Sequence, residues 1–258
     1  MGVVNMTPDS FSDGGRQLDP DAAAALARAM VVDGAALVDV GGESTRPGAE
    51  PVSLDEELRR VLPVLERLAG ELPLSIDTAK AEVARRALEF GVELVNDVTA
   101  LRSDPELAGV VADSGAYLCL MHMQGEPRTM QLEPRYDDVA ADVAAFLEER
   151  LEFAVEAGVA EERICLDPGI GFGKTLAHNL ELVRRLDVLL ALGRPVLVGL
   201  SRKSMLGKIL GGERATTGSA AASVGAAIAA FERGASIFRV HDVREHVEAL
   251  AAAAAVSA

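Results

Sequence analysis

The 258 residues suit one large domain and come close to the size at which eight β/α units close into a barrel. Hydrophobic residues make up 49% but aromatic residues only 3%, with no Trp, so the core is aliphatic and the stacking surfaces that single-stranded nucleic acid needs are absent. With 25 Lys and Arg against 40 Asp and Glu, the net charge of −15 argues further against nucleic acid and against anionic membrane surfaces as partners. Cys119 and Cys165 each lie in an apolar run, which predicts small buried hydrophobes in a reducing cytosol rather than a disulfide framework. Asn5, Thr7, Pro8 and Asp9 interrupt any N-terminal signal sequence, and no apolar run reaches the roughly 18 residues of a membrane span.

Short β-branched runs alternate along the chain with longer, Ala-rich amphipathic ones. Strands are predicted at 3–5, 36–40, 74–76, 94–96, 117–121, 164–166, 196–199 and 237–240. Helices are predicted at 20–33, 54–70, 79–90, 104–113, 136–157, 178–191, 216–233 and 242–255, with a shorter helical piece near 203–210. Gly34, Gly91, Gly115, Gly158 and Gly234 each follow a helix and precede a strand, as left-handed helix ends require. Strands each followed by a helix imply a parallel sheet with right-handed crossovers. The expected fold is a single-domain (β/α)8 TIM barrel over 1–258, with a doubly wound open sheet as the alternative.

A barrel enzyme builds its site from the residues at the C-terminal end of each strand. Every predicted strand here ends in polar residues: Asn5 and the segment to Gly15, Gly42–Gly48, Asp77-Thr78, Asn96-Asp97, Met121–Gly125, Asp167–Lys174, Ser201–Ser204 and Arg239–Asp242. One Asp at a strand end is often only a helix cap. Eight such ends are harder to dismiss, because a barrel gathers them into one crevice. The run from Gly169 to Thr175 looks like a phosphate-binding loop but has Pro168 where the first Gly belongs. No His-Glu-x-x-His or other zinc spacing occurs.

The stretches 5–15, 42–48, 75–78, 96–97, 121–125, 167–174, 201–204 and 239–243 together resemble the dihydropteroate synthase family of pterin-binding enzymes, in order and over nearly the whole chain. The resemblance implies condensation of 6-hydroxymethyl-7,8-dihydropterin pyrophosphate with p-aminobenzoate, in folate biosynthesis, by dissociative C–O cleavage. It places Asp167 on the pterin's amino group and ring N–H, which a carboxylate accepts as a pair. Asp77 and Asn96 complete that pocket, and Lys203 meets the pterin's acceptor atoms. Thr45, Arg46, Pro47, Phe172, Ser201 and Lys203 would take p-aminobenzoate. Arg239 and His241, two apart on a strand and so on one side of it, would hold the leaving pyrophosphate. Lys203, Arg239 and His241 would carry the catalysis. Asn5 would bind Mg2+ shared with the pyrophosphate, and the segments 7–15 and 44–52 would close over the site. The resemblance further implies a homodimer, sulfonamide as an inhibitor class, and small-molecule substrates alone. Two other readings share the pterin pocket: a barrel that moves a methyl group from a folate to a corrinoid protein, and a paralogue that binds pterin without turnover. One departure is that the family usually has more chain before its first motif, so the barrel's N-terminal plug is expected to be short or missing.

Overall fold

Valines and leucines alternate with polar or small residues along the strands, and the two sets do different things. The computed structural model describes residues 1–7, 19–211 and 218–257. Its strands are β1 (Gly2–Asn5), β2 (Val38–Gly41), β3 (Leu74–Asp77), β4 (Leu94–Asp97), β5 (Tyr117–Met121), β6 (Ile164–Asp167), β7 (Leu197–Val198) and β8 (Ile237–Phe238). Val38, Val40, Leu74, Ile76, Val95, Leu118, Leu120, Ile164 and Leu166 join the main apolar core with helix residues such as Ala27, Val61, Leu65 and Leu147. The residues between them point the other way, because side chains alternate along a strand. Leu94, Cys119, Cys165 and Leu197 accordingly form a separate cluster with Leu37 and Ile237, the apolar floor inside the barrel. Both cysteines are buried and unbonded, facing each other across β5 and β6.

Strands β1 to β6 pair in parallel in chain order, and β7 pairs in parallel with β8. Single parallel bridges, Leu166 with Val196 and Gly2 with Val240, join the two sheets on both sides. They close the eight strands into a (β/α)8 barrel and rule out the open sheet. The helices are α1 (Pro20–Val32), α2 (Leu54–Leu68), α3 (Ala81–Leu88), α4 (Glu106–Ser114), α5 (Val139–Glu156), α6 (Leu176–Arg184), α7 (Leu186–Leu190), α8 (Ser204–Leu210), α9 (Ala220–Phe231) and α10 (Val243–Ser257). Polar caps open several of them: the Ser53 hydroxyl accepts from Glu56 N at 3.3 Å and the Asp138 carboxylate from Ala140 N at 3.0 Å. The five glycines expected at helix ends all take positive φ.

Two expectations need correction. The helix expected at 178–191 is two helices, broken where Arg185 takes φ −113° and ψ 39° and its guanidinium bonds both oxygens of Asp138 at 2.9 Å. The helix expected from 216 starts at Ala220, where Ser219 caps it, and residues 216 and 217 lie outside the described residues.

The segment after β6 is pressed onto the segment after β5. Gly169 takes φ +65°, and a Cβ there would stand 1.9 Å from the His122 carbonyl oxygen. No side chain fits without moving backbone. Gly169→Ala is expected to cost more than about 1 kcal/mol and to lower Tm by at least about 2–4 °C. Thermal denaturation of the variant checks this; an unchanged Tm would mean the two segments are not in contact.

Candidate active site

Two residues beyond the apolar floor, on the same inner side of their strands, stand Asp39, Asn96, Met121, Asp167, Gly199 and Arg239. Four of these and Ser75 form one hydrogen-bonded chain across the barrel. The Arg239 guanidinium donates from Nη2 to Asp167 Oδ2 at 2.8 Å and from Nη1 to Asn96 Oδ1 at 3.3 Å. Asn96 Nδ2 donates to Asp39 Oδ2 at 3.0 Å, and Ser75 Oγ to Asp39 Oδ1 at 2.6 Å. The other oxygen of Asp167 accepts from Gly169 N at 2.7 Å. Asp39, Ser75, Asn96 and Asp167 are each no more than 2% exposed. Gly199 makes room for the guanidinium: a Cβ there would lie 3.3 Å from Arg239 Nη2.

Lys203 stands beside this chain, its Nζ 4.2 Å from the centre of the Phe172 ring. Phe172 packs with Val98, Met121, Met123 and Met130. Asn5 and Asp77 flank Gly41 in neighbouring strands; a Cβ at Gly41 would meet Asn5 Oδ1 and Asp77 Oδ2, each at 3.5 Å. His241 places Nδ1 3.2 Å from Ser201 Oγ and donates its backbone N–H to the same hydroxyl at 3.1 Å.

Burial sets the charges. Desolvation, and then the neighbouring Asp39, push the Asp77 carboxyl well above the usual carboxylate range. Desolvation, and then Arg239, bring the Lys203 ammonium down to about 8. Desolvation, followed by Arg202 and Lys203, brings His241 down to about 4. The carboxyls of Asp39, Asp77 and Asp167 outnumber the cations Arg239 and Lys203; burial raises the Asp39 carboxyl as well, but Asp77 more strongly, so the proton that evens the count belongs on Asp77. His241 is neutral at pH 7, a hydrogen-bonding partner for an anion rather than a cation.

The barrel therefore brings together Asp77, Asn96, Asp167, Phe172, Ser201, Lys203, Arg239 and His241. The loop residues are more exposed, and Arg46 still acts electrostatically on His241. Arg46 and Pro47 are exposed on the segment after β2, while Thr45 joins Asp77, Val98 and Met123 around a cleft of about 800 Å3. This segment leans on the one after β5 through Gly48 N and Pro127 O at 3.1 Å. Residues 8–15, with Asp9 and Asp13, lie outside the described residues. Ser201, expected to reach a substrate carboxylate, is 3% exposed and already engaged by His241.

Three participants escaped the sequence reading. Asp39 and Ser75 support Asn96. Lys174 is 3% exposed and directs Nζ at His122 Nδ1 (2.8 Å), Phe172 O (2.9 Å) and Gly169 O (3.0 Å), pinning the loop that carries Phe172. Desolvation brings its ammonium down to about 7. Asp39 and Ser75 gave a signal, as polar residues inside apolar strands with the same parity as the other inner residues.

Among the described residues no group of three or more His, Cys, Asp and Glu surrounds one point, and no helix is long and apolar enough to cross a membrane. The sequence profile of the family described as "pterin binding enzyme" matches residues 1–241. The chain belongs to this family. Dihydropteroate synthase of Escherichia coli K12 is 48% identical over 254 residues, covering 97% of this chain and 88% of its own. The Yersinia pestis dihydropteroate synthase, solved with a sulfonamide drug, superposes with a TM-score of 0.92 at 46% identity, over 99% of this chain and 93% of that one. The Xanthomonas albilineans enzyme, solved with 4-aminobenzoic acid, gives 0.90 at 48% identity, over 100% of this chain and 92% of that one.

Removing Arg239 leaves Asp167 as a buried carboxylate without its cation. Arg239→Ala is expected to destabilise the fold by about 3–5 kcal/mol, and Asp167→Ala in the same chain to restore part of that loss. Denaturant unfolding of the single and double variants measures it. Additive losses would show that the two side chains do not meet in solution.

Proposed function

We propose that the chain is a dihydropteroate synthase, joining 6-hydroxymethyl-7,8-dihydropterin pyrophosphate to p-aminobenzoate with release of pyrophosphate. The observation that carries this reading is the buried chain of Asp39, Asn96, Arg239 and Asp167 beside Lys203, at the C-terminal end of a pterin-binding family barrel. Each Asp167 oxygen has accepted one hydrogen bond and keeps a further lone pair, which suits the paired donors of a pterin edge. Lys203, as a donor, takes the ring's acceptors. Asn96 and the protonated Asp77 supply the remaining contacts.

Arg239 lies where the pterin end meets the leaving group, so it serves both, and His241 adds a neutral donor. As the methylene C–O bond breaks, its electron pair leaves with the pyrophosphate. The amine nitrogen of p-aminobenzoate forms the new C–N bond and gives up a proton to the departing phosphate or to water. Stabilising the charge that builds on the leaving group does most of the work. Asn5 offers one oxygen to Mg2+, and an ion with few protein ligands suits magnesium, which keeps waters and takes phosphate oxygens. That ion would neutralise charge on the leaving pyrophosphate. Phe172, Lys203 and Ser201 form the inner wall for p-aminobenzoate, and Thr45, Arg46 and Pro47 complete it when their segment folds inward and excludes water.

The assembly proposed is a homodimer in the cytosol. The dimer is supported by the exposed Ala221 and the partly exposed Ala220 and Val224 of α9, which border a shallow groove against α10.

Pyrophosphate release from the pterin substrate should require p-aminobenzoate, with dihydropteroate formed in equal amount. Release that ignores p-aminobenzoate would sink the assignment. The pH dependence of pterin binding tests Lys203 separately. Its ammonium is charged below about 8 and loses its proton as pH rises through that value. Affinity for a pterin, read by calorimetry, should hold below about pH 8 and fall above it, by up to about tenfold per unit. Lys203→Met should bind weakly and without that break. The same shift has an opposite effect on stability: between about 8 and the ordinary lysine value near 10 only the unfolded chain keeps the proton, so Lys203 contributes stability that grows with pH there.

A further inference from the structure

We propose that Asp39 is a positioning residue for pterin recognition, which it governs by fixing which way round the Asn96 amide stands. This rests on the function proposed above. The two ends of an Asn amide have nearly the same shape but opposite hydrogen-bonding sense. A carboxylate only accepts and a guanidinium only donates. Asn96 is caught between one of each: its Nδ2 gives a hydrogen bond to Asp39 at 3.0 Å, and its Oδ1 receives one from Arg239 at 3.3 Å. Turning the amide over would set NH2 against guanidinium and oxygen against carboxylate, two mispaired contacts in a site shut off from water. Asn96 is therefore left with one N–H and one lone pair whose directions are settled before any ligand arrives.

Asp39 is itself held. Ser75 Oγ donates to its other oxygen at 2.6 Å, and the residue is 2% exposed on β2, two positions short of the strand end. It hydrogen-bonds Asn96 and lies below the strand end, so it acts on the site through Asn96. Arg239 fixes only the oxygen end of the amide, through the longer of the two bonds. Asp39 supplies the other half of the constraint, and Ser75 aims it.

The competing account makes Asp39 only a counter-ion for Arg239, and two variants separate the accounts. In Asp39→Asn the new amide can face Asn96 with either end, so the lock is lost. In Ser75→Ala the charge at 39 stays and only its aim is lost. Calorimetry with 6-hydroxymethylpterin should show affinity about tenfold to a hundredfold weaker for Asp39→Asn, and about twofold to tenfold weaker for Ser75→Ala. The KM for p-aminobenzoate should stay within about twofold in both. A counter-ion role predicts instead that Ser75→Ala binds as the parent does, and that Asp39→Asn loses pterin and pyrophosphate affinity alike. That pattern, or unchanged pterin affinity in folded Ser75→Ala, overturns the proposal even if Asp39→Asn fails to fold. A parent chain that does not bind 6-hydroxymethylpterin at all would overturn the functional reading as well.

Discussion

A guanidinium enclosed in an aliphatic barrel constrains everything near it. Arg239 cannot shed its proton, and it carries five N–H donors that need acceptors. Among the described residues its hydrogen-bond acceptors are Asp167 of β6 and Asn96 of β4, and Asp39 of β2 answers Asn96 in turn. Three strands thus each contribute a polar residue at the same height. A pair of this kind adds little net stability over an apolar packing of the same volume, because taking the charges out of water costs about what their attraction returns. What it supplies is a set of donors and acceptors already oriented and already dry. A ligand with matching polarity then finds a site whose desolvation was completed during folding.

The rigid side of the site has a second buried cation behind it. Lys174 gathers the carbonyls of Gly169 and Phe172 and the ring of His122 around one ammonium, and so holds the β6 segment to the β5 segment. Desolvation, and then Lys174, push the His122 ring down to about 2, so it stays neutral and can accept. Phe172 is delivered by this loop to Lys203, and the cation and the ring stabilise each other where water is scarce. The half assigned to pterin is in this way built from strand ends and from a loop clamped by backbone contacts. The half assigned to p-aminobenzoate draws on Arg46 and Pro47, which the barrel does not hold.

The same division separates the legible residues from the illegible ones. Strand positions were legible because inner and outer residues alternate with period two, and the site was legible because polar residues break that pattern at the strand ends. Asp39 was open to the same reading, since Val38-Asp39-Val40 puts a charge where only an inward polar partner makes sense. Lys174 was not, because a lysine in a Gly-rich loop looks the same in sequence whether it is solvated or buried. Arg185, where the helix breaks, pairs with Asp138, 47 residues away, and local periodicity carries no trace of such a contact.

The segment after β2 nonetheless has a firm root. Lys80 reaches both Glu43 at its start and Glu57 of α2, and Glu57 accepts the Thr78 hydroxyl at 2.6 Å while fully buried. Arg60 adds a bond to the Gly42 carbonyl at 2.9 Å. A buried carboxylate satisfied from two directions resists displacement, since losing either partner leaves it unpaired in a poor solvent for charge. Glu43 is therefore fixed to the barrel while Arg46, three residues on, is exposed. Ser44 and Thr45 are the residues between the anchored and the unanchored parts, and rotation about their backbones is what would carry Arg46 inward without disturbing the strand. Beyond Arg46 the segment is held to the rest by the Gly48 N–H and the exposed pair of Glu50 and Arg128 at 3.8 Å. An exposed pair of that length is worth little against solvent, so the opposing contact that an anionic substrate must outcompete is small.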